Sequence, residues 1–211
     1  GTVHQPIDFP DVEAFAQNNY SLELEDVDRV LNFIYSNSIY KNQIDVSKIN
    51  LIGHSRGGGI VLIKAQEDPR VNKVVTWAGV SDYKVRFQEN TPGFLEFKKQ
   101  GVYHVQNART KQQMPHYWQF YTDFLANEKR LTIKRAAQEL QKPLLIVHAD
   151  QDTTVPLEEA QNLHQWCKGS ELFIVPDANH VFNGMHPYPE AIMPVMLNAV
   201  VAKTVLFLRA I

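Results

Sequence analysis

Gly53-His54-Ser55-Arg56-Gly57 sets a serine between two glycines, with Gly58 and Gly59 directly behind it. A short apolar run, Ile49, Leu51 and Ile52, leads in, and Ile60 to Ile63 with Ala65 follow before Pro69. The pattern predicts a buried strand, a tight turn and a buried helix, with the serine on the turn. A residue held there sits in strained backbone, and glycine neighbours leave room for it. The helix start offers N–H groups and positive potential beside the serine oxygen, where an oxyanion would form. A glycine-rich turn with an incidental serine would carry the same letters, but the flanking strand and helix favour a nucleophile. Ser55 is the candidate, and the backbone N–H of Arg56 is the candidate oxyanion donor.

A serine hydroxyl alone is a poor nucleophile and needs a base oriented by a third group. On a strand-elbow scaffold the chain order is serine, acid, histidine, with acid and histidine in loops after later strands. Two stretches fit. Asp150 and Asp152 follow the run Leu144–His148, and His180 follows Leu172–Val175. Asp152 lies nearer the helix start at Pro156, so its loop can project it toward the histidine, whereas Asp150 is expected to shape the turn. Of the eight histidines, His4, His104 and His116 precede the acid. His54 adjoins the nucleophile and points the wrong way, His148 is on a strand, and His164 is in a helix. His186 is the rival to His180. The chemistry that Ser55, Asp152 and His180 would perform is acyl transfer through a covalent intermediate.

The elements that must position them read as alternating strands and helices. A helix from Ser21 to about Ser36 carries Leu24, Val27, Leu31 and Ile34 at helical spacing. Apolar strands are expected at Val71–Ala78, Pro143–Ala149 and Glu171–Val175, beside the elbow strand. Helices are expected over Pro156–Cys167 and Met193–Arg209. Such alternation predicts an α/β fold: a parallel sheet with helices on both faces, whose ligands bind beyond the C-terminal strand ends. The interval 81–142 is too long for one crossover and is expected to be a helical lid insertion within a single domain, 1–211. It holds ten of the 22 aromatic residues between Tyr83 and Phe124. Most of these are expected to dock the insertion onto the main core. The sharper reading makes them the lining of a lid that selects apolar acyl or aryl groups.

Composition narrows the function. A chain of 211 residues with a formal net charge of −2 gives no whole-chain case for nucleic acid. Residues 1–50 hold eight acids against three Lys or Arg, and 82–142 six against eleven. Solvated helix faces are the expected explanation. One cysteine, Cys167, excludes an internal disulfide, and it falls on the apolar stripe of a predicted helix. No segment has the length and apolarity to span a membrane. No metal-binding pair or phosphate loop is present, so no cofactor and no metal are expected. A cytoplasmic location is the working expectation.

The stretches Gly53-His54-Ser55-Arg56-Gly57-Gly58, His148-Ala149-Asp150-Gln151-Asp152-Thr153-Thr154-Val155-Pro156 and Asn179-His180-Val181-Phe182 resemble the α/β-hydrolase superfamily. The closest look is to its dienelactone-hydrolase-like and acyl-aminoacyl-peptidase-like branches, over about Ser21 to the C-terminus. Members usually show His-Gly-x-x-Asp where Ala149 stands here, which leaves Asp152 in register. The resemblance implies the same roles for Ser55, Asp152 and His180 that the chemistry selects. It also implies strands before the elbow strand and a loop supplying a second oxyanion donor.

Nothing before Ser21 reads as those strands, since Val3, Ile7, Phe9, Val12 and Phe15 are interrupted by Pro6 and Pro10. The chain also opens at Gly1 without a methionine. The expectation is therefore the C-terminal part of a longer hydrolase, whose exposed sheet edge is covered by a missing N-terminal segment or a second copy. The expected function is a carboxylesterase-like serine hydrolase acting on a small-molecule ester or amide, without nucleic-acid or membrane partners. A serine aminopeptidase or acyl-peptidase is the alternative within enzymes, disfavoured because nothing identifies a group that holds a peptide terminus. A non-catalytic binding protein on a hydrolase scaffold is the alternative outside them, and it would be marked by loss of a triad member.

Overall fold

The computed structural model describes residues 8–36, 42–107, 110–185 and 188–210, so His4 and His186 lie outside the described residues. The elements in chain order are α1 (Val12–Ala16), α2 (Tyr20–Ser36), β1 (Ile49–His54), α3 (Arg56–Glu67), β2 (Val71–Trp77), α4 (Pro92–Gln100), β3 (Val102–Gln106) and β4 (Gln113–Tyr117). They continue with α5 (Gln119–Ala126), α6 (Glu128–Leu131), α7 (Ile133–Glu139), β5 (Leu144–Ala149), α8 (Leu157–Trp166), β6 (Glu171–Val175) and α9 (Val195–Arg209). They fall into two compact units, Asp26–Tyr83 with Thr132–Ile211, and Gly1–Glu25 with Lys84–Leu131.

The larger unit is built on a four-stranded parallel sheet in the order β1-β2-β5-β6. β5 is buried along its whole length and β2 over Val74–Thr76, as central strands covered on both faces are, while Ile174 of the edge strand β6 is exposed. Val75, Leu145, Val147 and Val175 pack with Val200 and Phe207 of α9 on one face. The Trp77 indole N–H donates to Thr204 Oγ1 at 3.0 Å. Lys73 Nζ donates to the carbonyls of Phe207 and Ala210 at 2.9 and 2.5 Å, closing the C-terminal end of α9. The alternate positions face the other way: Thr76 Cβ would lie 3.5 Å from a Cβ built on Gly58 of α3. Among the described residues no strand pairs with the outer side of β1, where Ile52 is 47% exposed.

Close approach of α3 to the sheet depends on its glycines. A Cβ on Gly58 would come within 2.7 Å of Gly79 Cα, and one on Gly59 would strike both the Tyr83 hydroxyl and Ile133. Gly53 is likewise closed in by the Gly57 carbonyl and Val61. Gly57 itself is different. A Cβ there meets nothing within 4 Å, so its lack of a side chain makes no room for Ser55, contrary to the sequence-based reading.

The smaller unit joins the N-terminal segment to the insertion. Gln112 bonds both the N–H and the C=O of Phe9, at 2.9 and 3.0 Å. Tyr117 Oη donates to Glu13 Oε2 at 2.6 Å, and Gln119 Nε2 to the Asn18 carbonyl at 3.0 Å. The insertion is not purely helical, because β3 and β4 pair as an antiparallel hairpin. Pro115 sits within β4, as the open side of a two-stranded ladder allows. Within this unit the aromatic residues of the insertion pack on one another. Phe87 lies 5.0–5.5 Å from Phe120, Tyr121 and Phe124, and Trp118 lies 4.8 Å from Phe97. Four of the aromatic residues, Phe87, Phe94, Phe97 and Tyr103, border a cavity of about 410 Å³ together with Arg86 and Val105, among others.

Candidate active site

Ser55, Asp152 and His180 follow the C-terminal ends of β1, β5 and β6, three strands of one parallel sheet. Ser55 adopts φ 55° and ψ −123°, outside the basins an L-residue prefers. Its N–H donates to the Trp77 carbonyl at 2.9 Å, and its own carbonyl accepts from Gly58 and Val80 at 2.9 and 3.2 Å. These bonds over-determine the turn and hold the strain. Ser55 also stands at the N-cap of α3, yet its hydroxyl makes no capping bond to that helix. The oxygen is not spent on structure. Tyr83 Oη donates to the Arg56 carbonyl at 2.9 Å and steadies the first turn behind it.

Asp152 has a fully buried carboxylate. Its Oδ1 accepts from the N–H groups of Thr154 and Val155 at 2.8 and 2.9 Å, and its Oδ2 lies 2.7 Å from His180 Nδ1. A carboxylate only accepts, which assigns the proton to Nδ1 and leaves Nε2 with its lone pair. Burial pushes the Asp152 carboxyl up, but the bonds from Val155, His180 and Thr154 outweigh it and hold the group below its ordinary value. His148 lies beneath. Its ring is buried, Nε2 donates to the Val155 carbonyl at 2.9 Å and stands 3.6 Å from Asp152 Oδ2, and among the described residues Nδ1 has no partner.

The loop carrying His180 is shaped by two asparagines. Asn179 Oδ1 accepts from the N–H groups of Val181 and Asn183 at 3.1 and 3.0 Å, while Asn183 Oδ1 accepts from Asn179 at 3.1 Å. Phe182 is buried at φ 53° with its ring 6.2 Å from Trp77, anchoring the turn in the core. His54 Nε2 lies 2.9 Å from the His180 carbonyl, and the two rings are 4.7 Å apart. Although His54 has an exposed edge, desolvation by the protein around it lowers its pKa, ahead of a smaller raising effect from the His180 carbonyl.

The structure thus brings Asp152 and His180 into direct contact. Among the described residues no hydrogen bond joins the Ser55 hydroxyl to His180, and the link between the two segments runs through His54. Such contacts often tighten only with substrate in place. Asp150 is exposed, with its backbone N–H given to Val175. The sequence reading did not assign a role to His54, His148, Asn179 or Asn183. Only the paired asparagines around His180 offered a signal, as residues that bond turns locally. Among the described residues no group of three or more His, Cys, Asp or Glu could hold a metal, and no helix is long and apolar enough to cross a membrane.

The BD-FAE family model matches residues 10–167, a span that takes in Ser55 and Asp152 and ends before His180. Serine hydrolase BPHL of Homo sapiens is 27% identical over 141 residues, or 63% of this chain and 48% of that protein. The chain therefore spans about half the length of this curated relative. Est1E from Butyrivibrio proteoclasticus superposes with a TM-score of 0.64 at 18% identity, over 90% of this chain and 71% of that one. A further Est1E structure holds ferulic acid. The α/β hydrolase GrgF from Penicillium sp. sh18 gives a TM-score of 0.60 at 17% identity, over 91% of this chain and 72% of that one. The fold is that of an α/β hydrolase.

Proposed function

The chain belongs to the BD-FAE family, and on that premise we propose that it is a serine hydrolase cleaving an ester by acyl transfer. The observation that carries the reading is the 2.7 Å contact between His180 Nδ1 and a fully buried Asp152 carboxylate, both after strands of the same sheet whose β1 leads into a serine held at positive φ. Ser55 Oγ attacks the carbonyl carbon while His180 Nε2 takes its proton. Asp152 keeps the imidazole in the tautomer that makes Nε2 an acceptor and stabilises the imidazolium that forms. The proton then passes to the leaving alcohol, and water releases the acid by the same sequence in reverse. The Arg56 N–H, first in α3, serves as one oxyanion donor, a contact worth on the order of 3 kcal/mol. Est1E holds ferulic acid, so esters of aromatic acids head the substrates to try.

The test is a fluorophosphonate probe that reacts with activated serines. The protein should be labelled, Ser55→Ala should not, and hydrolysis of p-nitrophenyl acetate by Ser55→Ala should fall by on the order of 10⁶-fold, to background. Equal labelling, or unchanged hydrolysis, would overturn the reading.

A further inference from the structure

We infer that His54 is a positioning residue, whose ring ties the loop bearing the base, His180, to the strand bearing the nucleophile, Ser55. The inference rests on the triad reading above. His54 is the last residue of β1 and is fixed in register opposite Trp77 of β2, so its backbone belongs to the rigid sheet. Ser55 is the next residue in the chain. Nε2 of His54 lies 2.9 Å from the carbonyl oxygen of His180, 126 residues away. A carbonyl only accepts, so that nitrogen carries the proton and donates it. The same nitrogen cannot then serve as the general base.

His180 is otherwise held at its ring, through Nδ1 and Asp152. The asparagine bonds around it fix the shape of the loop but run within the loop. With the His54 bond, the same residue is held at its backbone as well, from the strand that ends at the nucleophile. The His54 ring, 4.7 Å from the His180 ring and inclined at 46°, also forms a wall beside it. The separation of base and nucleophile is then set by strand ends, which are more precise supports than a loop alone. Placement of this kind acts on the approach of the proton acceptor to Ser55, so its loss should appear in kcat and not in KM.

Three substitutions separate placement from mere bulk. His54→Gln sets an amide N–H at about the reach of Nε2, His54→Asn carries the same amide too short to reach, and His54→Leu has no donor. Each is assayed with p-nitrophenyl acetate for kcat and KM and melted for Tm, beside Ser55→Ala. His54→Gln should keep kcat within about threefold, while His54→Asn and His54→Leu should lose about 10- to 100-fold at a KM within about twofold. The inference is overturned if Asn and Leu keep the parental kcat, if Gln falls as far as they do, or if the loss lies in KM. Should His54→Leu fail to fold, the Gln and Asn pair, polar at an exposed position, still decides. A fully active Ser55→Ala would overturn the triad reading. An inactive Ser55→Ala beside three unaffected His54 variants would overturn this inference alone.

Discussion

Replacing Asp152 by asparagine should abolish turnover while leaving the fold standing. In the parent, Oδ1 accepts two backbone N–H groups at 2.8 and 2.9 Å, and Oδ2 accepts His180 Nδ1–H at 2.7 Å. Asparagine keeps one oxygen, which can remain with Thr154 and Val155. Its amide group then faces His180, and because two donors cannot share a bond, the imidazole must move its proton to Nε2. That nitrogen would donate toward Ser55 where it should accept. A wrong tautomer in a triad lowers kcat by about 10⁴-fold, which at about 1.36 kcal/mol per decade is about 5.4 kcal/mol. Stability loses one charge-assisted bond, about 1.5–3 kcal/mol, and recovers part of it because a charge no longer has to be buried. Asp152→Ala differs. It strands the buried Val155 N–H at about 1–3 kcal/mol more. The assay is kcat for ester hydrolysis beside a thermal melt of both variants. A folded Asp152→Asn with kcat within about tenfold of the parent would refute the claim that Asp152 sets the His180 tautomer.

Two further outcomes follow from the same region. Gly58→Ala drives a Cβ to 2.7 Å from Gly79 Cα, so it should destabilise by about 1–3 kcal/mol, read as a lower urea midpoint; an unchanged midpoint would mean that α3 can lift from the sheet freely. The pH dependence concerns His54, whose folded pKa lies below its ordinary 6.5. Between that lowered value and about 6.5 the unfolded chain binds more protons, so stability should fall as pH drops through this window. His54→Gln should flatten that part of the curve, and an identical slope in both proteins would count against the assignment.

The sheet was legible because Val71–Trp77, Leu144–Ala149 and Glu171–Val175 read as short apolar runs bounded by breakers, most plainly Leu144–Ala149, which is buried along its whole length. The elbow was legible because strained turns restrict residue choice. The smaller unit was not. Gln112 reaching Phe9, and Gln119 reaching Asn18, are polar bonds about a hundred residues apart with no periodic signature. The direction that keeps His54 from serving as the base is also what carries it to the His180 carbonyl. A side chain that acts on another residue's backbone leaves no mark in spacing.

Tyr83 and Ile133, which flank residues 84–131, both close on Gly59. An excursion pinned at its two ends leaves and rejoins the sheet-bearing unit at one place. The insertion can therefore drift in sequence and size, or be exchanged between relatives, without disturbing the register of β1, β2, β5 and β6. The exchangeable piece is not one stretch of chain, however. Glu13 and Asn18 are bonded to Tyr117 and Gln119, so a graft of 84–131 alone leaves them facing side chains that the donor does not supply. Recombination that respects this fold must carry both segments together.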